Sequence, residues 1–171
     1  MVMLSSLARS MLAAALKDPA AQERYRAKIA TPDGTSCQFW IGALHPKGHG
    51  RFWVGAVRDG DGAPREVCVI AHRFGWALEH GLDALDDVPV LAHQCDEPSC
   101  QNPNHLLASD WSQNLAEWQA RRWRPASPLR DTRGPGGRAR AIRAGLRDGE
   151  PLEAILSAGH SELDRNQLEL F

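Results

Sequence analysis

No stretch of the 171-residue chain approaches the roughly 20 consecutive apolar residues that a bilayer-spanning helix requires, so no membrane-embedded helix is expected. No secretory leader is expected either. Residues 1–16 break their short apolar clusters with Ser5, Ser6, Arg9 and Ser10, and have neither a basic start nor a long apolar centre. The expectation is a helix in a cytoplasmic protein. Cysteine is scarce, at four residues, and without a secretory signal a disulfide framework is not expected. No internal repeat is present, which excludes a solenoid. The length allows one compact domain with an appendage but not two full domains.

A large net charge is also absent: the formal value is −1. Taken alone this argues against a nucleic-acid partner, but the average hides a segregation. Residues 121–147 hold nine arginines against one acid, Asp131, and residues 148–169 turn acidic. Because fields decay over about 8 Å at physiological salt, local charge decides phosphate contact. The arginine segment therefore points to phosphate, with a merely solvated helix face as the alternative.

Leu4, Leu7, Met11, Leu12 and Leu16 fall at helical spacing, which predicts a helix over residues 3–29 interrupted near Pro19. Strand-like runs at 37–42 and 50–57 flank the turn-rich His45-Pro46-Lys47-Gly48 and are expected to pair as a hairpin. The turn Asp59-Gly60-Asp61-Gly62 leads to a third strand over 65–70. Ile70, Phe74 and Leu78 then predict a short helix ending at Gly81. A strand at 88–93, a polar loop at 94–104 and a brief strand from Leu106 follow. Asp110 caps a helix whose Gln113 completes a capping box and whose apolar stripe is Trp111, Leu115 and Trp118. The six tryptophans read as core and helix-packing residues. Pro125 to Gly137 is a linker by composition, and 138–147 and 151–158 read as two short helices. The expected divisions are an N-terminal helix at 1–23, a core at 24–124, the linker at 125–137 and a basic helical appendage at 138–171.

The densest chemistry lies in His93-Gln-Cys95-Asp-Glu-Pro-Ser-Cys100-Gln-Asn102-Pro-Asn-His105. Cys95, Cys100 and His105 are five residues apart in turn, close enough for one loop to wrap a single ion. Zinc takes thiolate and imidazole ligands tetrahedrally, and a structural site is closed by a fourth protein ligand. Cys68 sits in the apolar run Val67-Cys-Val-Ile70, the natural place for a buried cysteine. Cys37, at a turn-to-strand junction, is the expected fourth ligand. The metal loop would hold His93 rigidly, as a general base requires. Asn114, early in the following helix, can turn its amide oxygen toward His93 and serve a hard cation such as Mg²⁺.

Residues 93–114 resemble the zinc-containing branch of the His-Me finger (HNH) endonucleases. The likeness extends to Cys37-Gln-Phe-Trp40-Ile-Gly42, Gly48-His-Gly50-Arg51-Phe52 and Ala71-His72-Arg73, covering roughly 24–123. It implies an α+β fold with a ββα-metal core, a preceding antiparallel hairpin region and a structural zinc, plus a helical C-terminal appendage. It also implies hydrolysis of DNA phosphodiesters. In that pattern His93 is the general base and Asn114 the ligand of the catalytic divalent cation. Cys37, Cys95, Cys100 and His105 hold the zinc, Asn102 orients the loop, and Arg51 and Arg73 touch DNA. The second zinc cluster that braces dimers of some members is missing. The alternative is a zinc-braced DNA-binding or sliding-clamp adaptor module without catalysis.

Arg138, Arg140 and Arg143 are the further candidate DNA contacts, in a segment that weakly resembles the helix-turn-helix pieces of phage HNH proteins. Gln167-Leu168-Glu169-Leu170-Phe171 resembles the short peptide by which bacterial replication proteins bind the sliding clamp. Gln167 would orient it, with Leu168, Leu170 and Phe171 as apolar anchors. Docking of those anchors on the protein's own core is the competing expectation.

Overall fold

The structure, a computed structural model, describes residues 6–58, 62–124 and 127–168. It is a mixed α+β fold. Among the described residues its strands form three two-stranded antiparallel sheets. The expected N-terminal helix divides into α1 (Ser6–Lys17) and α2 (Pro19–Arg26), because Asp18 ends one and caps the next: its carboxylate accepts from Ala20 N, and Pro19 fills a first-turn position where no N–H is needed. No helix of the described residues is long and apolar enough to cross a membrane.

Strand β1 (Ile29–Ala30) pairs with β2 (Phe39–Trp40), and β3 (Arg51–Arg58) with β4 (Pro64–Ile70). The expected hairpin between 37–42 and 50–57 does not form; only the single bridge Leu44–Gly50 remains of it. Trp40 N instead donates to Ser99 O at 2.9 Å and Ile41 N to Lys28 O at 2.9 Å, so other segments claim this strand's hydrogen bonds. Helix α3 (Ala71–His80) follows β4 directly and stops at Gly81, whose φ of 86° suits glycine. Strands β5 (Val90–His93) and β6 (Leu106–Ser109) form the third hairpin, with His93 opposite Leu106. Helix α4 (Trp111–Arg121) comes next. Asp110 caps it through Ser112 N and Gln113 N, but Gln113 donates forward to Glu117 and leaves the capping box half made.

The main core packs α1, α2, β3 and α3 around Leu12, Tyr25, Trp40, Phe52 and Phe74. The Phe52 and Phe74 rings lie 4.5 Å apart and Tyr25 sits 5.0 Å from Phe74. Only Trp40 of the six tryptophans is fully buried. Trp53, Trp111, Trp118 and Trp123 are exposed, so the reading of the tryptophans as core residues fails for these four.

The stretch read as linker is largely folded. Helix α5 (Gly134–Asp148) begins inside it, with Pro135 in the first turn. Gly136 is required there because a Cβ would lie 2.0 Å from the carbonyl oxygen of Pro46. Gly149, with φ of 78°, ends α5, and α6 (Leu152–Ser157) and α7 (Glu162–Leu168) follow. Ile142 and Ile155 close a second small core on Phe39. The clamp-like peptide lies outside the described residues for 169–171, as do the side chains of Gln167 and Leu168.

A buried ionic network fastens α5 to the 94–105 loop. Arg138 donates through Nε to Glu97 at 2.8 Å and through Nη1 to Asp131 at 3.2 Å, while Arg133 grips Asp131 at 2.7 Å. Burial raises the Glu97 carboxyl above its ordinary range, opposed by Arg138. The net worth of such a pair is small, but removing one partner strands the other charge. Arg138→Ala is therefore expected to destabilise the fold by about 3–5 kcal/mol in urea unfolding, and Arg138→Met with Glu97→Gln to recover most of that. A loss under about 1 kcal/mol for Arg138→Ala would show that Glu97 finds water or another partner.

Candidate metal centre and the histidine beside it

The loop joining β5 to β6 has no aliphatic side chain beyond two prolines, so apolar burial cannot hold it. Hydrogen bonds do part of the work. Gln101 N donates to Gln38 O at 2.6 Å and Gln94 N to His105 O at 2.8 Å. Tyr25 OH reaches the buried Gln101 Oε1 at 3.1 Å, tying the loop to the aromatic core. Asn102 donates its Nδ2–H to Ser36 O at 2.6 Å and accepts from Asn104 N at 3.0 Å, opening the single turn Pro103–His105. One amide thus links the loop to the backbone just before Cys37.

Cys37, Cys95, Cys100 and His105 converge, with all four ligand atoms within 4.8 Å of one another. His105 Nδ1 lies 3.6 Å from Cys37 Sγ and 3.5 Å from Cys100 Sγ. Tetrahedral bonds of about 2.3 Å to sulfur and 2.1 Å to nitrogen would place these atoms about 3.6 Å apart, so the donor set fits zinc in kind and in spacing. His105 Nε2, on the far side of the ring, meets Ser36 Oγ at 3.0 Å, the outer contact that fixes a metal-binding imidazole. Hydrogen bonds from the Cys100 and Cys95 thiols hold the Cys37 thiol far below its ordinary range, against burial. The bond to Cys37 and burial push Cys100 up to about 11. Cys95 rises too, through its bonds to Cys100 and Cys37. Three thiols packed this closely do not all ionise on their own; a divalent cation among them removes the conflict. Cys68 stands apart on β4, opposite Trp53.

His93 closes β5 beside this cluster. Its Nε2 lies 3.1 Å from Cys100 O, and a carbonyl only accepts, so Nε2 carries the hydrogen and Nδ1 keeps its lone pair. Burial lowers its pKa to about 4, partly countered by that hydrogen bond, so the ring is neutral at pH 7. Two further imidazoles surround it: His72 edge-on at 4.5 Å and His49 at 6.0 Å. Burial depresses both, and the fully enclosed His72 has an Nδ1 with no partner. Neither His49 nor His72 stands at metal-ligand spacing in the sequence. They meet because Arg51 pairs with Ile70 and Ala71 N donates to Gly50 O at 2.8 Å, which joins the ends of β3 and β4. Gly50 permits this approach: a Cβ there would lie 2.7 Å from Ala71 Cβ. The available signal was a histidine between two glycines and another at a strand-to-helix junction.

Asn114 lies on α4, which packs against β5, and is half-buried. Among the described residues its side-chain amide makes no hydrogen bond. Of the expected DNA contacts, Arg51 and Arg140 are exposed. Arg73 is half-buried and donates to Val88 O at 3.2 Å, and Arg143 reaches Gly42 O at 3.5 Å. Arg138 is committed to Glu97 and Asp131 and offers no free face. No family model matches the chain, and neither a curated protein nor a solved structure matches it.

Proposed function

We propose that the chain is a metal-dependent DNA endonuclease of the His-Me finger (HNH) type, with β5, β6 and α4 as its ββα-metal unit. One observation carries the reading: His93 ends β5 with its Nε2–H fixed on Cys100 O, beside the Cys₃His cluster, and α4, the helix that bears Asn114, packs against β5. A general base needs a fixed tautomer and an unprotonated nitrogen, and His93 has both.

In this reading His93 Nδ1 takes a proton from a water molecule as its oxygen attacks phosphorus. The bond from phosphorus to the 3′ oxygen breaks, leaving a 5′-phosphate and a 3′-hydroxyl. A hard divalent cation held through the Asn114 amide oxygen would supply charge stabilisation at the scissile phosphate. The Cys₃His zinc takes no part in the chemistry; its ligands hold the loop that positions His93. Of the arginines expected to touch DNA, Arg51 and Arg140 are exposed and so remain available to backbone phosphates.

The test is incubation of supercoiled plasmid with the zinc-loaded protein, with Mg²⁺ supplied or withheld. Nicked or linear products whose ends carry 5′-phosphates are expected only when the cation is present. Intact plasmid and oligonucleotides under Mg²⁺, Mn²⁺ and Co²⁺ alike would sink the assignment.

A further inference from the structure

Helix α4 is inside out. An ordinary surface helix turns its apolar stripe to the core and its polar stripe to water. Here the half-buried positions are Asn114, Glu117 and Arg121, with Arg121 paired to Asp96 at 2.9 Å and Glu117 at 3.2 Å. The outward stripe is Trp111, Leu115 and Trp118, which are 69%, 53% and 37% exposed, and no residue of α4 is buried. Just past the helix, Trp123 is 67% exposed. The Arg122 guanidinium lies 4.4 Å from the ring centroids of both Trp118 and Trp123.

Exposing three indoles is costly unless they meet something, and the surrounding chemistry says what. Over residues 111–124 the one acid is Glu117, ion-paired with Arg121, whereas Arg122 lies over two of the indoles and Arg124 follows Trp123 in the chain. A cationic strip interleaved with flat aromatic faces complements a phosphate backbone with accessible bases, and it suits an apolar protein helix poorly. Position matters equally. Successive helical residues are about 100° apart, so Trp118 lies about 40° around the helix from Asn114, and Trp111 about 60°. A phosphodiester at Asn114 would bring its flanking bases over these rings.

We propose that the Trp111–Trp118–Trp123 face is a base-stacking platform, and that the preferred substrate is DNA with unpaired or unstacked bases beside the cleaved phosphate. This rests on the nuclease reading for the position of the phosphate, but the platform itself is testable by binding alone.

The experiment measures anisotropy of fluorescein-labelled oligonucleotides with the full-length, zinc-loaded chain and no added Mg²⁺. It compares one sequence as a single strand, as a duplex with a central three-nucleotide bulge, and as a perfect duplex. Bulged and single-stranded forms are expected to bind at least tenfold more tightly than the perfect duplex, with quenching of tryptophan emission. Trp111→Ala and Trp118→Ala should each weaken binding to the unpaired forms by roughly tenfold, with little change for the perfect duplex. Because both side chains are exposed, melting temperatures should stay near native, and circular dichroism checks this. Equal affinity for all three forms, or unchanged affinity in a Trp111→Ala, Trp118→Ala, Trp123→Ala variant, overturns the platform. So does a concentration-dependent dimer that the triple variant abolishes while its DNA binding stays native, which would make this face an interface between copies. Selective binding of bulged DNA without cleavage under any cation would leave the platform standing and remove the nuclease reading.

Discussion

Stripping the metal from the purified protein is expected to abolish its cooperative unfolding transition, and the native preparation to contain about one zinc per chain. The four ligands close long loops: Cys37 and His105 are separated by 68 residues and meet across the Cys₃His cluster. Apolar burial adds little to the 94–105 loop, which is otherwise held by hydrogen bonds and by the Arg138–Glu97 pair. Its buried residues include Glu97, Ser99 and Gln101, polar groups that gain nothing from burial except through partners already in place. Structural zinc in small domains is worth about 10–16 kcal/mol, whereas a whole domain is typically stable by only 5–15 kcal/mol. Losing the ion therefore exceeds the margin for the segment that carries His93, and with Gln101 loosened, Tyr25 and the aromatic core lose an anchor too. Cys100→Ser should give a protein with no sharp thermal transition and no bound zinc by elemental analysis. Cys68→Ser, outside the cluster, should keep both. A Cys100→Ser protein that is free of metal and melts at the native temperature would refute a structural role for the site.

Much of this centre was legible because its information is local. Cys95, Cys100 and His105 at five-residue intervals in a polar loop state a ligand set without any knowledge of tertiary structure, and the bounding strands and Asp110 cap follow from periodicity and capping chemistry. Long-range competition was not legible. Residues 37–42 look ready to pair with 50–57, but nothing in that stretch reveals that Ser99, Gln101 and Lys28 will take its hydrogen bonds. The glycines at 134, 136 and 137 read as a linker because composition cannot show that Gly136 must pass over the Pro46 carbonyl. Arg138 belongs to an arginine-rich run whose sum suggests phosphate, yet two buried carboxylates claim it, Asp131 within the run and Glu97 far from it in sequence. Helix α4 shows the sharpest limit. Its apolar periodicity was correct and its direction was not, because periodicity fixes a stripe without saying which way it faces.

Replacing His93 by alanine is expected to slow DNA cleavage by about 10²–10⁴-fold, the usual contribution of a positioned general base. Zinc content, melting behaviour and DNA affinity should stay close to native. The separation follows from the contacts: among the described residues the His93 side chain makes one hydrogen bond, to Cys100 O, and His93 is not one of the Cys₃His cluster. Removing its ring opens space beside His72 and His49 but leaves every thiolate in place. Asn114→Ala should fail differently. The imidazole proposed to activate water remains, so cleavage should recover in part as Mg²⁺ is raised to roughly tens of millimolar, whereas His93→Ala should not respond to added cation. Single-turnover rates on a labelled oligonucleotide, measured across a Mg²⁺ series for both variants, distinguish a lost base from a weakened cation site. Native-rate cleavage by His93→Ala would remove it from the chemistry and direct attention to His72, whose unpartnered Nδ1 lies in the same group of rings.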